Sequence, residues 1–336
     1  MSIPKIGVVG TGNMGRIHCR VLDSMRMLGG VADVDENSAK QVANLYGVRA
    51  FKDYNELIDD LSLDGVIIST PTSTHASIAE DIAKNHDSLR GILIEKPLAS
   101  TLKDAERVAK TLQKRNLAAV VSHSEIYNPV VGRAISLIRE GAIGKPRNII
   151  HDRRGFVQPS RIASLGDVFE DIGVHDFDIM ARISSGPAKL YAQCSTEDGI
   201  FNAATVLVRF ESGSEHFFHL SRQYAGRART MDVSGTKGAL ILDLFAQIIK
   251  VKDLDQEPMA TDRALRLPER GATIKVYGEP IREVVIDFID VIEKGSKPIV
   301  GLEDGVAALR VVEAARESAR ECKILNIDVQ ARELLQ

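Results

Sequence analysis

Residues 5–18 read KIGVVGTGNMGRIH, and this order decides how the remaining chain is interpreted. An apolar run, Ile6–Val9, drives straight into Gly10, Gly12 and Gly15, and a pattern of helical period follows. A dinucleotide site needs that order. The strand delivers the chain to a tight turn at Gly10. The missing side chain at Gly12 lets a pyrophosphate approach the backbone, and Gly15 lets the new helix pack closely on the strand with its N–H groups facing the anion. Glycines cluster in ordinary turns too, so the context carries the reading: a strand before, a helix after and an acid about twenty residues on.

The alternation continues. A helix over 14–28 leads to the strand GGVADV, ending near Asp33. Two acids compete for the ribose hydroxyls there. Asp33 stands at the strand tip, while Asp35 could cap a helix starting around Asn37. Val34 and Glu36 offer nothing to a 2′-phosphate, so NAD is expected rather than NADP. Helices are expected over 37–46 and 54–61, and strands over 48–51 and 65–69. Thr70-Pro71 ends the latter strand, and Thr74 reads as the cap of a helix reaching His86. The run GILIEKP forms a strand ending in Glu95-Lys96-Pro97, and a helix over 101–115 and a strand over 117–122 complete the set. Strands alternating with helices predict a doubly wound parallel sheet, whose ligands bind beyond the carboxyl ends of the strands. Those ends carry Gly10, Thr11, Gly12, Asn13, Met14 and Gly15, then Asp33, Thr70-Pro71, Glu95-Lys96 and His123.

The whole chain, 336 residues, exceeds what one hydrophobic core usually supports, so domains over 1–122 and 123–336 are expected. Net charge is −3 with both signs interspersed, which gives no reason to expect nucleic acid or a membrane as partner. Cys19, Cys194 and Cys322 lie far apart without metal-ligand spacing and read as small buried hydrophobes, so no metal is expected. With no leader-like segment before the first strand and no membrane-length apolar run, a cytoplasmic protein is expected.

Lys96 follows a buried strand on the ligand edge, and Pro97 restricts its backbone to extended geometry. An ammonium there can stabilise a developing alkoxide, although a solvated loop lysine fits the same position. Further on, FEDIGVHDFDIMARI spans 169–183. Asp171 and His175 share a face if this stretch is helical, and histidine is the side chain best poised to take a proton near neutral pH. A buried histidine satisfied by a local acid is the alternative, with Asp176 and Asp178 also at hand. The group Arg153, Arg154 and Arg161 could clamp a phosphate, but reads more simply as an exposed loop face. Gly235-Thr236-Lys237-Gly238 lacks P-loop spacing and reads as a hairpin turn, and His216 and His219 fall on opposite faces of a strand.

Residues 130–140 read as an amphipathic helix, followed by strand-like runs at 147–152, 190–195, 204–210, 215–220, 230–234, 239–244 and 247–252. Hairpin spacing predicts a mostly antiparallel sheet with the Asp171/His175 helix on one face and a partner subunit on the other. Residues 253–280 read as irregular, and helices are expected over 281–292 and 303–321.

Together these residues resemble the glucose–fructose oxidoreductase/inositol dehydrogenase (Gfo/Idh/MocA) family. The resemblance is carried by G-x-G-x-x-G-x-x-H from Gly10 to His18, Asp33, Pro71-x-x-x-His75, Glu95-Lys96-Pro97 and Asp171-x-x-x-His175. It implies an α/β Rossmann domain followed by an α+β domain with a large open-faced, mostly antiparallel sheet, paired into homodimers or homotetramers through that sheet. It further implies Lys96 and His175 as the catalytic pair with Asp171 in support, Glu95 near the nicotinamide ribose, and His75 among the cofactor contacts. PTSTH at 71–75, HSEIYNPVV at 123–131, FVQPSRI at 156–162 and VSGTKGALILDL at 233–244 look like the UDP-N-acetylglucosamine 3-dehydrogenase branch. Ile126 and the lead-in at 165–170 depart from its pattern. The implied activity is NAD-dependent oxidation of a sugar's secondary hydroxyl, C3 of a UDP-N-acetylhexosamine, with Tyr127, Asn128 and Arg161 as substrate contacts. A free-sugar or inositol dehydrogenase, or a dinucleotide-responsive regulator without turnover, are the alternatives.

Overall fold

The structure, a computed structural model, describes residues 3–162, 165–253 and 271–332. The chain forms two compact units, and neither is continuous in sequence. Of the described residues, the first takes those up to 127 and then 279–310, and the second takes those from 128 to 278 and from 311 to 332.

In the first unit six parallel strands lie in the order β3-β2-β1-β4-β5-β6. They are β1 (Ile6–Val9), β2 (Leu28–Ala32), β3 (Arg49–Phe51), β4 (Gly65–Ile68), β5 (Gly91–Glu95) and β6 (Ala118–Ser122). Strands β1, β4 and β5 are buried along their whole length, as expected where helices cover both faces of a parallel sheet. The order reverses beside β1, and Val9 pairs with both Ala32 and Ile68, so the carboxyl ends of three strands align where the glycine stretch leaves the sheet. Helices α1 (Asn13–Ser24), α2 (Glu36–Tyr46), α3 (Tyr54–Asp60), α4 (Thr72–Asn85) and α5 (Leu102–Lys114) follow the strands. Asp35, Asp53 and Thr101 cap α2, α3 and α5 through their side chains. Thr74, expected as the cap of α4, lies inside it and bonds Thr70 Oγ1 and Pro71 O instead.

The expected cut at 122/123 misses a return of the chain. The helix Pro280–Lys294 belongs to the first unit, where its apolar face covers the sheet. The Phe288 ring lies so close to β4 and β5 that a Cβ on Gly65 would stand 2.8 Å from it and one on Gly91 3.1 Å. Amphipathicity reveals that a helix must bury a stripe, not which sheet it covers.

The second unit holds a nine-stranded sheet, ordered β14-β13-β12-β11-β7-β10-β9-β8-β15. Its strands are β7 (Pro146–Phe156), β8 (Gly186–Glu197), β9 (Ile200–Phe210), β10 (Glu215–Ser221), β11 (Gln223–Gly235), β12 (Gly238–Asp243), β13 (Ile248–Asp253), β14 (Gly271–Lys275) and β15 (Leu325–Val329). Among the described strands of this sheet only the β7/β10 pair is parallel. Burial alternates along β9 and β12, giving one apolar face. The other face shows Ile150, 48% exposed, and Ile241, 38%. The turn between Gly235 and Gly238 is the expected hairpin, with Ser234 paired to Ala239. Helices α6 (Pro129–Arg139), α7 (Pro159–Ile162) and α8 (Val174–Ile183) lie in the unit, a π-helical turn, Phe169–Gly173, leads into α8, and the helix Leu302–Glu321 enters it from Val311 on. The irregular stretch expected over 253–280 falls, for 254–270, outside the described residues, and the remainder contains β14. No helix among the described residues is long and apolar enough to cross a membrane.

Replacing Phe288 with Ala removes the ring that seats its helix on two glycine-bearing strands. The variant is expected to lose about 3–5 kcal/mol of stability, measured by urea unfolding followed by circular dichroism. An unchanged midpoint would contradict this packing.

Candidate active site

In the first unit the three glycines of the G-x-G-x-x-G motif stand in different surroundings. Gly10 sits at φ +93°, and a Cβ there would lie 2.7 Å from Ser69 O. A Cβ on Gly15 would stand 1.9 Å from Gly10 O, so α1 can approach β1 only without one. Around Gly12 nothing lies within 4 Å of such an atom. Gly12 is also the N-cap residue of α1, no side chain caps the helix there, and no acid stands in its first turn. Open space before uncapped N–H groups fits a pyrophosphate. Asn13 is exposed and Met14 half-buried in the same turn.

The two acids after β2 separate cleanly. Asp35 accepts from Asn37 N and Ser38 N as the cap of α2. Asp33 turns to the glycine loop, where its Oδ2 accepts from Thr11 N at 2.6 Å and Thr11 Oγ1 at 2.9 Å. An acid held beside the loop fits ribose hydroxyls.

Two histidines brace this edge. His18, one turn inside α1, donates from Nε2 to Glu95 Oε1 at 2.6 Å, and both side chains are buried. Burial pushes the Glu95 carboxyl up, but the His18 bond and charge outweigh it and hold the group below the usual range. The other Glu95 oxygen accepts from Lys96 N at 3.2 Å, so the strand end carrying half-buried Lys96 is fixed to α1. The Lys96–Pro97 peptide is cis. His75, implied as a cofactor contact, bridges the ends of two strands. Its ring is buried, with Nδ1 2.9 Å from Pro97 O and Nε2 2.9 Å from Thr70 O, and burial pushes its pKa down. His18 stood in the motif with no role assigned to it, and spacing alone could not show where its ring goes.

In the second unit the π turn puts Val174 N on Phe169 O and carries Asp171, with His175 in the first turn of α8. Such turns recur at functional sites. Asp167 Oδ1 accepts from Phe169 N and Glu170 N, and Arg316 bonds Asp167 Oδ2 at 2.6 Å and Glu170 Oε2 at 3.2 Å. Fully buried Arg222 donates to Gly166 O at 2.8 Å and Asn202 Oδ1 at 2.7 Å, and lies 3.6 Å from Asp171 Oδ2. His175 is half-buried. The neighbouring acids are taken: Asp176 holds buried Arg153 through two bonds of 2.6 and 3.0 Å, and Asp178 lies 3.4 Å from Arg182. Burial opposes the Asp176 charge, but the Arg153 guanidinium keeps this carboxyl well below the usual range.

One expectation is corrected. Arg153 and Arg154 are not a loop face but strand residues, Arg153 buried against α8 and Arg154 paired to Asp152. Asn128, implied as a substrate contact, is the buried N-cap of α6, and its amide donates to Leu244 O at 3.1 Å. Tyr127, implied likewise, belongs to the first unit, where its hydroxyl donates to Asp287 Oδ2 at 2.7 Å. Polar side chains beyond a strand end can serve the backbone as readily as a ligand. Arg161 stays exposed on α7. His216 is buried and His219 exposed, on opposite faces as expected.

The glycine geometry separates folding from binding. Gly12→Ala is expected to fold with an unchanged melting temperature and to lose most NAD affinity, whereas Gly15→Ala should lose about 3 kcal/mol or more of stability. Thermal unfolding and NAD titration of both variants distinguish the two roles, and equal melting temperatures would overturn the assignment.

Residues 4–123 match the family model described as oxidoreductase family, NAD-binding Rossmann fold, and residues 131–241 match the GFO/IDH/MocA C-terminal domain. A myo-inositol 2-dehydrogenase of Thermotoga maritima is 27% identical over 96% of this chain and 98% of its own. A UDP-N-acetylglucosamine 3-dehydrogenase of Acidithiobacillus ferrooxidans is 26% identical over 93% of this chain and 95% of its own. The solved structure of the UDP-N-acetylglucosamine 3-dehydrogenase GnnA from Acidithiobacillus ferrooxidans shares the fold, with a TM-score of 0.82 at 23% identity over 96% of this chain and 99% of that one. Together these matches reach both sheets: the chain belongs to the Gfo/Idh/MocA family of NAD-dependent oxidoreductases acting on CH–OH groups of sugars and inositols.

Proposed function

We propose that this enzyme oxidises a secondary hydroxyl of a nucleotide sugar, C3 of a UDP-N-acetylhexosamine, with Lys96 and His175 as its catalytic residues. The observation that carries the reading is the tie between the glycine loop and Lys96 through the buried His18–Glu95 bond. It fixes an ammonium-bearing residue on the same sheet edge as the dinucleotide loop. Bound NAD supplies a hydride acceptor. Lys96 stabilises the substrate oxygen as negative charge develops on it. His175, half-buried in the first turn of α8, takes the hydroxyl proton. Asp171, held beside Arg222, orients the sugar. Gly10, Gly12 and Gly15 with Asp33 hold the dinucleotide, and Arg161 faces the diphosphate. The UDP-N-acetylglucosamine 3-dehydrogenase relative supports the nucleotide-sugar assignment. The myo-inositol 2-dehydrogenase relative favours the second reading, a polyol substrate.

We also propose that two or four copies assemble through the outer face of the large sheet, where Ile150 and Ile241 are half-exposed. Ile150→Asp is expected to shift sedimentation to the monomer, and a wild-type protein sedimenting as a monomer would sink the proposal.

Incubation with NAD and a panel of UDP-sugars, free hexoses and inositols, read by NADH absorbance, tests the activity. UDP-N-acetylhexosamines are expected to give the highest kcat/KM, and Lys96→Ala and His175→Ala each to lower kcat by about 100-fold or more. Full activity in either variant would remove that residue from the mechanism.

A further inference from the structure

At the end of β7 and the start of β11, wholly within the second unit, a cavity of about 270 Å³ opens. Arg153, Arg154, Arg222, Arg227 and Arg229 border it beside Ile172 of the π turn, and among the described residues no carboxylate lines it. Three of these guanidinium groups have structural partners: Arg153 answers Asp176, Arg154 answers Asp152, and Arg222 lies near Asp171. Arg227 is exposed and has no such partner among the described residues.

The backbone is arranged to put it there. Gln223 pairs with Phe156 and Ala228 with Arg154, so Tyr224, Ala225, Gly226 and Arg227 together stand opposite Gly155 alone. A bulge of this kind bends a strand and re-aims its side chains. It is also braced. Arg154 makes two bonds of 2.7 Å to Asp152, and its guanidinium lies 4.3 Å from the Tyr224 ring centre. Gly226 packs against that ring so closely that a Cβ would stand 2.8 Å away. Arg229 lies 4.3 Å from the Phe245 ring centre on the cavity wall.

We propose that this cavity is a subsite for a phosphoryl group of the substrate. The proposal rests on the dehydrogenase reading above and deepens it by naming where a phosphoryl group of the substrate is held. Guanidinium groups reaching one volume from several strand positions suit a group with three oxygens better than a planar carboxylate. Ile172 directly follows Asp171, so a phosphoryl group seated here tethers its sugar to the segment that carries Asp171 and His175. The phosphoryl group can belong to a nucleoside diphosphate or to a sugar phosphate, and the chemistry of recognition is the same.

Isothermal titration of the NAD-saturated protein with UDP, a hexose 6-phosphate, inorganic phosphate and glucuronate tests it, since saturation removes the glycine loop as a competing anion site. Either UDP or the hexose phosphate is expected to bind, with Kd raised about tenfold or more in Arg227→Ala. UDP binding alone identifies a nucleotide diphosphate as the source, and hexose phosphate binding alone a sugar phosphate. An unchanged Kd in Arg227→Ala, binding of inorganic phosphate only, or binding of glucuronate but no organic phosphate would overturn the proposal. Binding is read without turnover, so its failure is distinguishable from failure of the dehydrogenase reading, which the NADH assay decides.

Discussion

The bond between His18 Nε2 and Glu95 Oε1 joins two ionisable side chains that water hardly reaches. A lone buried carboxylate costs several kcal/mol, so the end of β5 is stable in this form only with the α1 histidine against it. Its position in turn depends on Gly15, because His18 follows by one turn and α1 comes near β1 only where no Cβ intervenes. His75 adds a second strap between the ends of β4 and β5. The steric allowance at one glycine is thereby carried across the sheet edge to Lys96.

In the second unit arginine does the comparable work. Arg222 and Arg153 are both buried, and each holds part of the segment from the π turn into α8 against the sheet. Arg316 fixes the lead-in from the other side through Asp167 and Glu170. A guanidinium suits this use because it is always charged and offers several donors in one plane. The π turn and the bulge in β11 are both local insertions beside this arginine group, and each changes where side chains are aimed without changing the order of strands.

Much of the first unit was legible because strands buried on both faces are written as unbroken apolar runs, and because Gly10 and Gly15 answer steric demands of the fold while Gly12 leaves open space before the helix. Asp33 and Asp35 were readable as alternatives, and only the loop geometry could separate them. Long-range pairing was not legible. Nothing local in the helix Pro280–Lys294 names the first sheet as its partner, and β15 is a short edge strand whose pairing with β8 depends on distant residues. Site residues that act on other protein atoms were the hardest to read. The bonds of Tyr127 to Asp287 and of Asn128 to Leu244 join residues far apart in sequence, and Arg222 carries no pattern at all.

Asp33 holds a consequence for how cofactor preference can change. The carboxylate suited to an unmodified ribose is also the tether of Thr11, through two bonds to one oxygen. Exchange for a neutral residue is the obvious first step toward admitting a 2′-phosphate, and it cuts that tether in the same stroke. Selectivity and loop stiffness are therefore inherited together at this position. A lineage moving toward the phosphorylated dinucleotide has to rebuild support for the glycine loop before, or along with, the charge reversal.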